Sequence, residues 1–93
     1  MILGKSASEE DQTRFVESAY LNPDGWTDNT QRYYTNAQVL KESSVVTVSP
    51  INVLAAMPYN IYAYDQGNGY IDFRCEQVPE ESIGFYLLIE NFN

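Results

Sequence analysis

The chain has no histidine, a single cysteine, and five basic residues against thirteen acidic ones. Each shortage removes a class of chemistry. Without histidine there is no Ser/His/Asp or Cys/His nucleophilic site, and the commonest general base and metal ligand is missing. One cysteine, Cys75, excludes an intrachain disulfide and points to synthesis in a reducing compartment. It falls in register with Phe73, so it reads as a small buried hydrophobe rather than a nucleophile. The formal net charge of -8 repels phosphate backbones and anionic lipid, which disfavours nucleic acid and membrane surfaces as partners. No apolar run is long enough to cross a bilayer, and no stretch has the basic start, apolar core and small-residue end of a secretory signal. Nothing repeats at a fixed period, and no segment is of low complexity.

What is present is the alternation of strands. Ile71, Phe73 and Cys75 alternate with Tyr70, Asp72, Arg74 and Glu76, and Ile61 and Ala63 oppose Tyr62 and Tyr64, which is the period of a sheet with one dry face. Gln66-Gly67-Asn68-Gly69 between the two runs predicts a tight reversal and therefore a hairpin. Ser82 to Glu90 alternates again, with Ile83, Phe85, Leu87 and Ile89 on one side, so a three-stranded antiparallel meander is expected as the core. Eight tyrosines among 93 residues suit half-buried sheets and interfaces, where an amphipathic ring is useful. A chain of this length hides only about 60–65% of its unfolded surface, so association would add to a modest stability.

The other elements follow in order. The start, Met1 to Lys5, has no pattern. Ser8, Glu9, Glu10 and Asp11 supply a cap and negative charge for a helix start, and Phe15, Val16, Ala19 and Tyr20 fall at helical spacing. Glu9 to Tyr20 is therefore expected to be a short amphipathic helix that docks on this domain or on another copy. Asn22-Pro23-Asp24-Gly25 ends it. Gln31 to Leu40 reads as a strand interrupted near Asn36, and Val45 to Val48 as a β-branched strand that stops at Ser49-Pro50. Serine as cap and proline at the first helical position introduce a helical turn over Ile51 to Met57, halted by Pro58. The expected fold is mainly β, a small antiparallel sandwich or meander of about five strands with a short N-terminal helix and a short helical turn. Residues 1–25 form an N-terminal segment and 26–93 the β domain, in one compact unit.

Candidate chemistry is sparse. Asp72 and Glu76 share one face of a strand about 13 Å apart at ~3.3 Å per residue, too far for paired-carboxylate hydrolysis, and both are expected to face water. Asp65 to Gly69 with Glu76 fails as a calcium loop, because its third and fifth places are glycines and its sixth is Tyr70. Asn22, Asp24, Asp28 and Asn29 are rich in oxygen but are also ordinary turn residues. The hairpin glycines are followed by no helix and cradle no phosphate. Nothing here points to an enzyme, a metal or a cofactor. Tyr62, Tyr64 and Tyr70, all outward on the strand pattern, are the candidate subunit or ligand contact surface, with subunit contact preferred.

The order Trp26, Tyr33-Tyr34, Ser44 to Pro50, the hairpin through Gly69 to Ile71-Asp72-Phe73-Arg74-Cys75, then Pro79 and Ile83 to Ile89 resembles a small β domain of tailed-phage and prophage structural proteins. The likeness covers Trp26 to Ile89, and the stretch around Asn36 to Lys41 departs from it by lacking the glycine usual in that turn. The resemblance implies a non-enzymatic virion structural protein, a head-fibre, tail-fibre, decoration or appendage domain, acting in assembly or host attachment. It further implies a homotrimer, contact with other virion proteins and with a host surface glycan, and location in the virion. Two other classes fit the composition. An acidic inhibitor that mimics DNA would suit the charge, but the acids are spread from Glu9 to Glu90 and form no dense run. A carbohydrate-binding module acting alone would need its exposed aromatics coplanar.

Overall fold

A computed structural model of the chain describes residues 12–92. The unpatterned start and the capping run at Ser8 to Asp11 lie outside them. Six strands follow one another: β1 (Gln12–Leu21), β2 (Thr30–Tyr34), β3 (Val45–Pro50), β4 (Tyr62–Gly67), β5 (Tyr70–Arg74) and β6 (Ile83–Phe92). Among the described residues the one α-helix, α1, is the single turn Val53–Ala56, and 3-10 turns cover Pro23–Gly25 and Met57–Tyr59. The strands form two antiparallel sheets of three, in the orders β1-β6-β3 and β2-β5-β4.

Three expectations are corrected. Most of the stretch read as an N-terminal helix is the ten-residue strand β1, paired with the whole of β6 from Gln12–Phe92 to Leu21–Ile83. The spacing was ambiguous for a plain reason: Phe15 and Ala19, like Val16 and Tyr20, are four residues apart, which brings side chains to one face of a helix and also to one face of a strand. In the strand Ala19 and Leu21 are buried and Phe15 half-buried, while Val16 and Tyr20 point away from the core. The three-stranded meander is also split. β4 and β5 form the expected hairpin, but β6 crosses to the other sheet and becomes its centre strand, so the chain has two antiparallel sheets and six strands where about five were expected. The helix at Ile51 starts later than expected. Pro50 still pairs with Phe85, and the cap is Asn52, whose side chain accepts the Ala55 N–H at 3.1 Å.

β2 stops at Tyr34, because the Asn36 carbonyl turns back to accept the N–H groups of Val39 and Leu40. In the hairpin turn only Gly69 takes a positive φ, at 85°; Asn68 does not need one, and its side-chain oxygen accepts the Glu42 N–H at 2.9 Å. A side chain at Gly69 would press on the Thr35 carbonyl and Ala37, so glycine lets the turn sit against the loop that follows β2.

The two sheets share one core. Phe73 of β5 stacks on Phe85 of β6 with ring centroids 5.7 Å apart, and Leu21, Leu40, Ile71, Leu87 and Ile89 fill the space around them. Along the β1–β2 side the sandwich is fastened by Glu17, whose carboxylate accepts the Tyr33 hydroxyl at 2.5 Å and the Thr35 hydroxyl at 3.0 Å. At one end a polar network joins the sheets through the loop before β3. Asn91 of β6 accepts the Ser44 hydroxyl and donates to the Val39 carbonyl, and the Gln66 amide of β4 donates to the Ser44 carbonyl at 2.8 Å. On the β3–β4 side nothing comparable closes the gap among the described residues. An open cleft of about 470 Å³ lies there, lined by Val46, Val48, Ile61, Ala63 and Phe85 among others.

Candidate functional site

The three tyrosines singled out from the sequence lie on the outer face of β2-β5-β4, and the register sets their neighbours. Tyr34, Tyr70 and Gly67 form one cross-strand row, Arg32, Asp72 and Asp65 the next, and Thr30, Arg74 and Tyr62 the third. Tyr64 is the extra residue of a bulge between Ala63 and Asp65, where its ring meets the guanidinium of Arg74 at 4.6 Å. Tyr70 is held differently. A Cβ on Gly67 would collide with its ring, so the ring lies across that glycine, and Arg32 covers it at 3.8 Å. Tyr70 is therefore half-buried and engaged, while Tyr62 and Tyr64 keep 44% and 45% of their surface.

Asp72 corrects an expectation. It does not face water: it is 8% exposed, and its two oxygens take the Arg32 guanidinium at 2.7 and 3.0 Å. Strand alternation puts it on the outer face, as read, but a cross-strand arginine and a tyrosine-rich row cover it. The bidentate hydrogen bond to Asp72 raises the pKa of Arg32 further above its ordinary value, against a smaller opposing effect of burial. Sequence reasoning left out Arg32, Arg74 and Tyr34, the last 72% exposed. The signal for them was parity: once Tyr33 is placed inward on β2, Arg32 and Tyr34 must face out.

Other candidate residues are occupied by structure. Asn22 caps the 3-10 turn by accepting the Asp24 N–H at 3.0 Å; Asp28 and Asn29 both take left-handed conformations, and the Asn29 amide donates to the carbonyls of Cys75 and Glu76. Cys75 is buried, and desolvation raises its thiol pKa. Burial first, then the hydrogen bond to Glu17, pushes Tyr33 up to about 12.

A second face has no counterpart in the sequence reading. The outer side of β1-β6-β3 carries the rows Arg14–Glu90–Val45, Val16–Leu88–Thr47 and Ser18–Tyr86–Ser49, followed by Tyr20 beside Gly84. Val16 is 71% and Tyr20 65% exposed, and Val45 and Tyr86 are about as exposed as they are covered. Gly84 is flat enough for Tyr20 and Ile51 to meet over it. Among the described residues the charged groups of this face are Arg14 and Glu90, paired at 3.1 Å at its margin. Among the described residues nothing covers these apolar side chains.

Fold and surfaces thus define a small two-sheet antiparallel β domain with one aromatic-arginine face and one largely apolar face whose described charges stand at its margin. No protein-family model, curated protein or solved structure matches the chain.

Proposed function

We propose that the chain is a non-enzymatic structural protein of a bacteriophage virion, a fibre, decoration or appendage domain that acts in assembly or host attachment. The observation that carries this reading is the apolar outer face of β1-β6-β3. A 93-residue domain gains stability by covering such a face, and a structural protein presents it to another copy or to a second virion protein. The opposite face, with Tyr34, Tyr62 and Tyr64 exposed around two arginines, is left for attachment. Flat tyrosine rings beside guanidinium donors suit a host surface glycan. Three copies is the number that the resemblance implies, and a count of two instead would leave the structural role standing.

Two measurements test the reading. An antibody against the chain should label particles purified from the phage or lysogen that encodes it, and particles free of the chain would sink the virion role. Light scattering coupled to size exclusion should give a multiple of the 10.6 kDa chain mass, unchanged at high salt because the contact is apolar. A monomer in both salts at tens of micromolar would remove the self-associating role.

A further inference from the structure

We infer that the outer edge of β3 pairs antiparallel with the same edge of a second copy, joining two β1-β6-β3 sheets into one of six strands. The inference does not rest on the virion reading. The Ile51 N–H donates to the Gly84 carbonyl at 2.9 Å, in the register that pairs Pro50 with Phe85. Successive residues of an antiparallel strand turn their N–H and C=O to opposite sides. Val45, Thr47 and Ser49 therefore bond to β6, while Val46 and Val48 turn theirs to the outer edge. No described residue pairs with them there.

The other three edges are treated differently. β4 carries the bulge at Tyr64, and the Asp65 carboxylate accepts the neighbouring Gln66 N–H at 2.9 Å, so that edge is bent and partly capped. β1 and β2 are fastened to each other through Glu17 and carry Arg14 and Arg32. β3 has no bulge and is the one strand of the six without a charged residue; proline stands only at its end. Its run Val45-Val46-Thr47-Val48 has the β-branched character that pairs readily.

A second copy is the occupant that the charge favours. Two chains of net charge -8 repel wherever carboxylates meet, and Val45–Pro50 with the cleft beside it is free of acidic and basic side chains. The strand is also self-complementary about a two-fold axis. With Thr47 opposite Thr47 of the second copy, Val46 of each chain meets Val48 of the other, and their free N–H and C=O groups are exchanged. The inward valines of each copy then cover the cleft left open beside the other.

The test combines mass with amide exchange. The wild type should be a dimer by light scattering at tens of micromolar. Its Val46 and Val48 amides should be protected from hydrogen exchange when concentrated and exposed on dilution. Val48→Pro removes an N–H that β6 does not use, and should weaken association by at least about ten-fold with the strand circular dichroism retained. Val16→Glu, on the outer face and two strands away, should leave the dimer intact. A monomeric wild type overturns the inference, as does an assembly of any size in which those two amides exchange freely, or open-ended growth. If Val16→Glu separates the copies and Val48→Pro does not, the apolar face carries the assembly; the proposed role survives and the edge pairing falls. Should Val48→Pro fail to fold, the exchange of the wild-type amides decides alone.

Discussion

On the outer face of β2-β5-β4 the polar side chains are spent on one another: Asp72 on Arg32, Arg32 on Tyr70, Arg74 on Tyr64. On the outer face of β1-β6-β3 the central rows hold Val16, Leu88, Tyr86 and Tyr20, and the charged residues Arg14 and Glu90 pair at one end. The comparison separates two uses of an exposed sheet. Where cross-strand pairs satisfy each other, the face stabilises its own chain. Where apolar groups stand in water with no described residue over them, the face adds little to its own chain, and covering it would add stability.

The largest expected effect tests what both faces share. Phe73→Ala should cost about 3–5 kcal/mol, because the ring is fully buried and stacked on Phe85 of the opposite sheet. Urea denaturation should then show one transition shifted as a whole; two separate transitions would mean that the sheets, and their faces, are independent units.

Asp72→Ala should cost about 1–2 kcal/mol. That is below the usual figure for breaking a buried ion pair, since the Arg32 side chain is 44% exposed and water takes over part of its solvation. Dilute protein, below the range of association, is the proper sample. A loss within error would return Asp72 to the role of a solvated surface acid.

Tyr33→Phe should cost about 1 kcal/mol by removing a hydrogen bond to a carboxylate at the seam between β1 and β2. It carries a pH signature as well. The folded pKa is raised to about 12 from an ordinary 10, so the unfolded chain loses this proton first. The stabilisation is complete below about pH 10 and declines as pH rises toward 12. In the wild type a late-ionising tyrosine should appear in the ultraviolet titration and be missing from the variant; an unchanged titration would refute the assignment.

The smallest effect sharpens the contrast most. Val16→Thr should change the stability of the dilute chain by less than about 0.5 kcal/mol, because the side chain is already in water. A loss as large as that of Asp72→Ala would show that the apolar face is held within the single chain after all.

The legible parts of the sequence were those whose partners are near in the chain or whose pattern admits one reading. The β4–β5 hairpin could be read because its turn and both its strands lie within about fifteen residues. β6 could be read because Ile83, Phe85, Leu87 and Ile89 alternate without interruption, and all four are buried. β1 was misread because a spacing of four is common to helix and strand, and its true partner lies some seventy residues away. The aromatic surface was legible as three tyrosines, but the arginines that organise it were not, since Arg32 and Asp72 meet only through the register of β2 on β5.

By itself the sequence determined a small, acidic, mainly β domain, a hairpin turning at Gln66 to Gly69, and an inward Phe73 and Cys75. Composition and alternation are local properties, and they need no partner to be read. Tertiary structure alone decided that β6 leaves the hairpin to become the centre of a second sheet, that residues 12–21 extend along it as a strand, and that Asp72 is covered rather than solvated. Each of these depends on which strand lies beside which. That choice is made by burial of Phe73 against Phe85 and of Ala19 and Leu21 beside β6, contacts between residues far apart in the chain whose free energy exceeds any local preference for helix or strand.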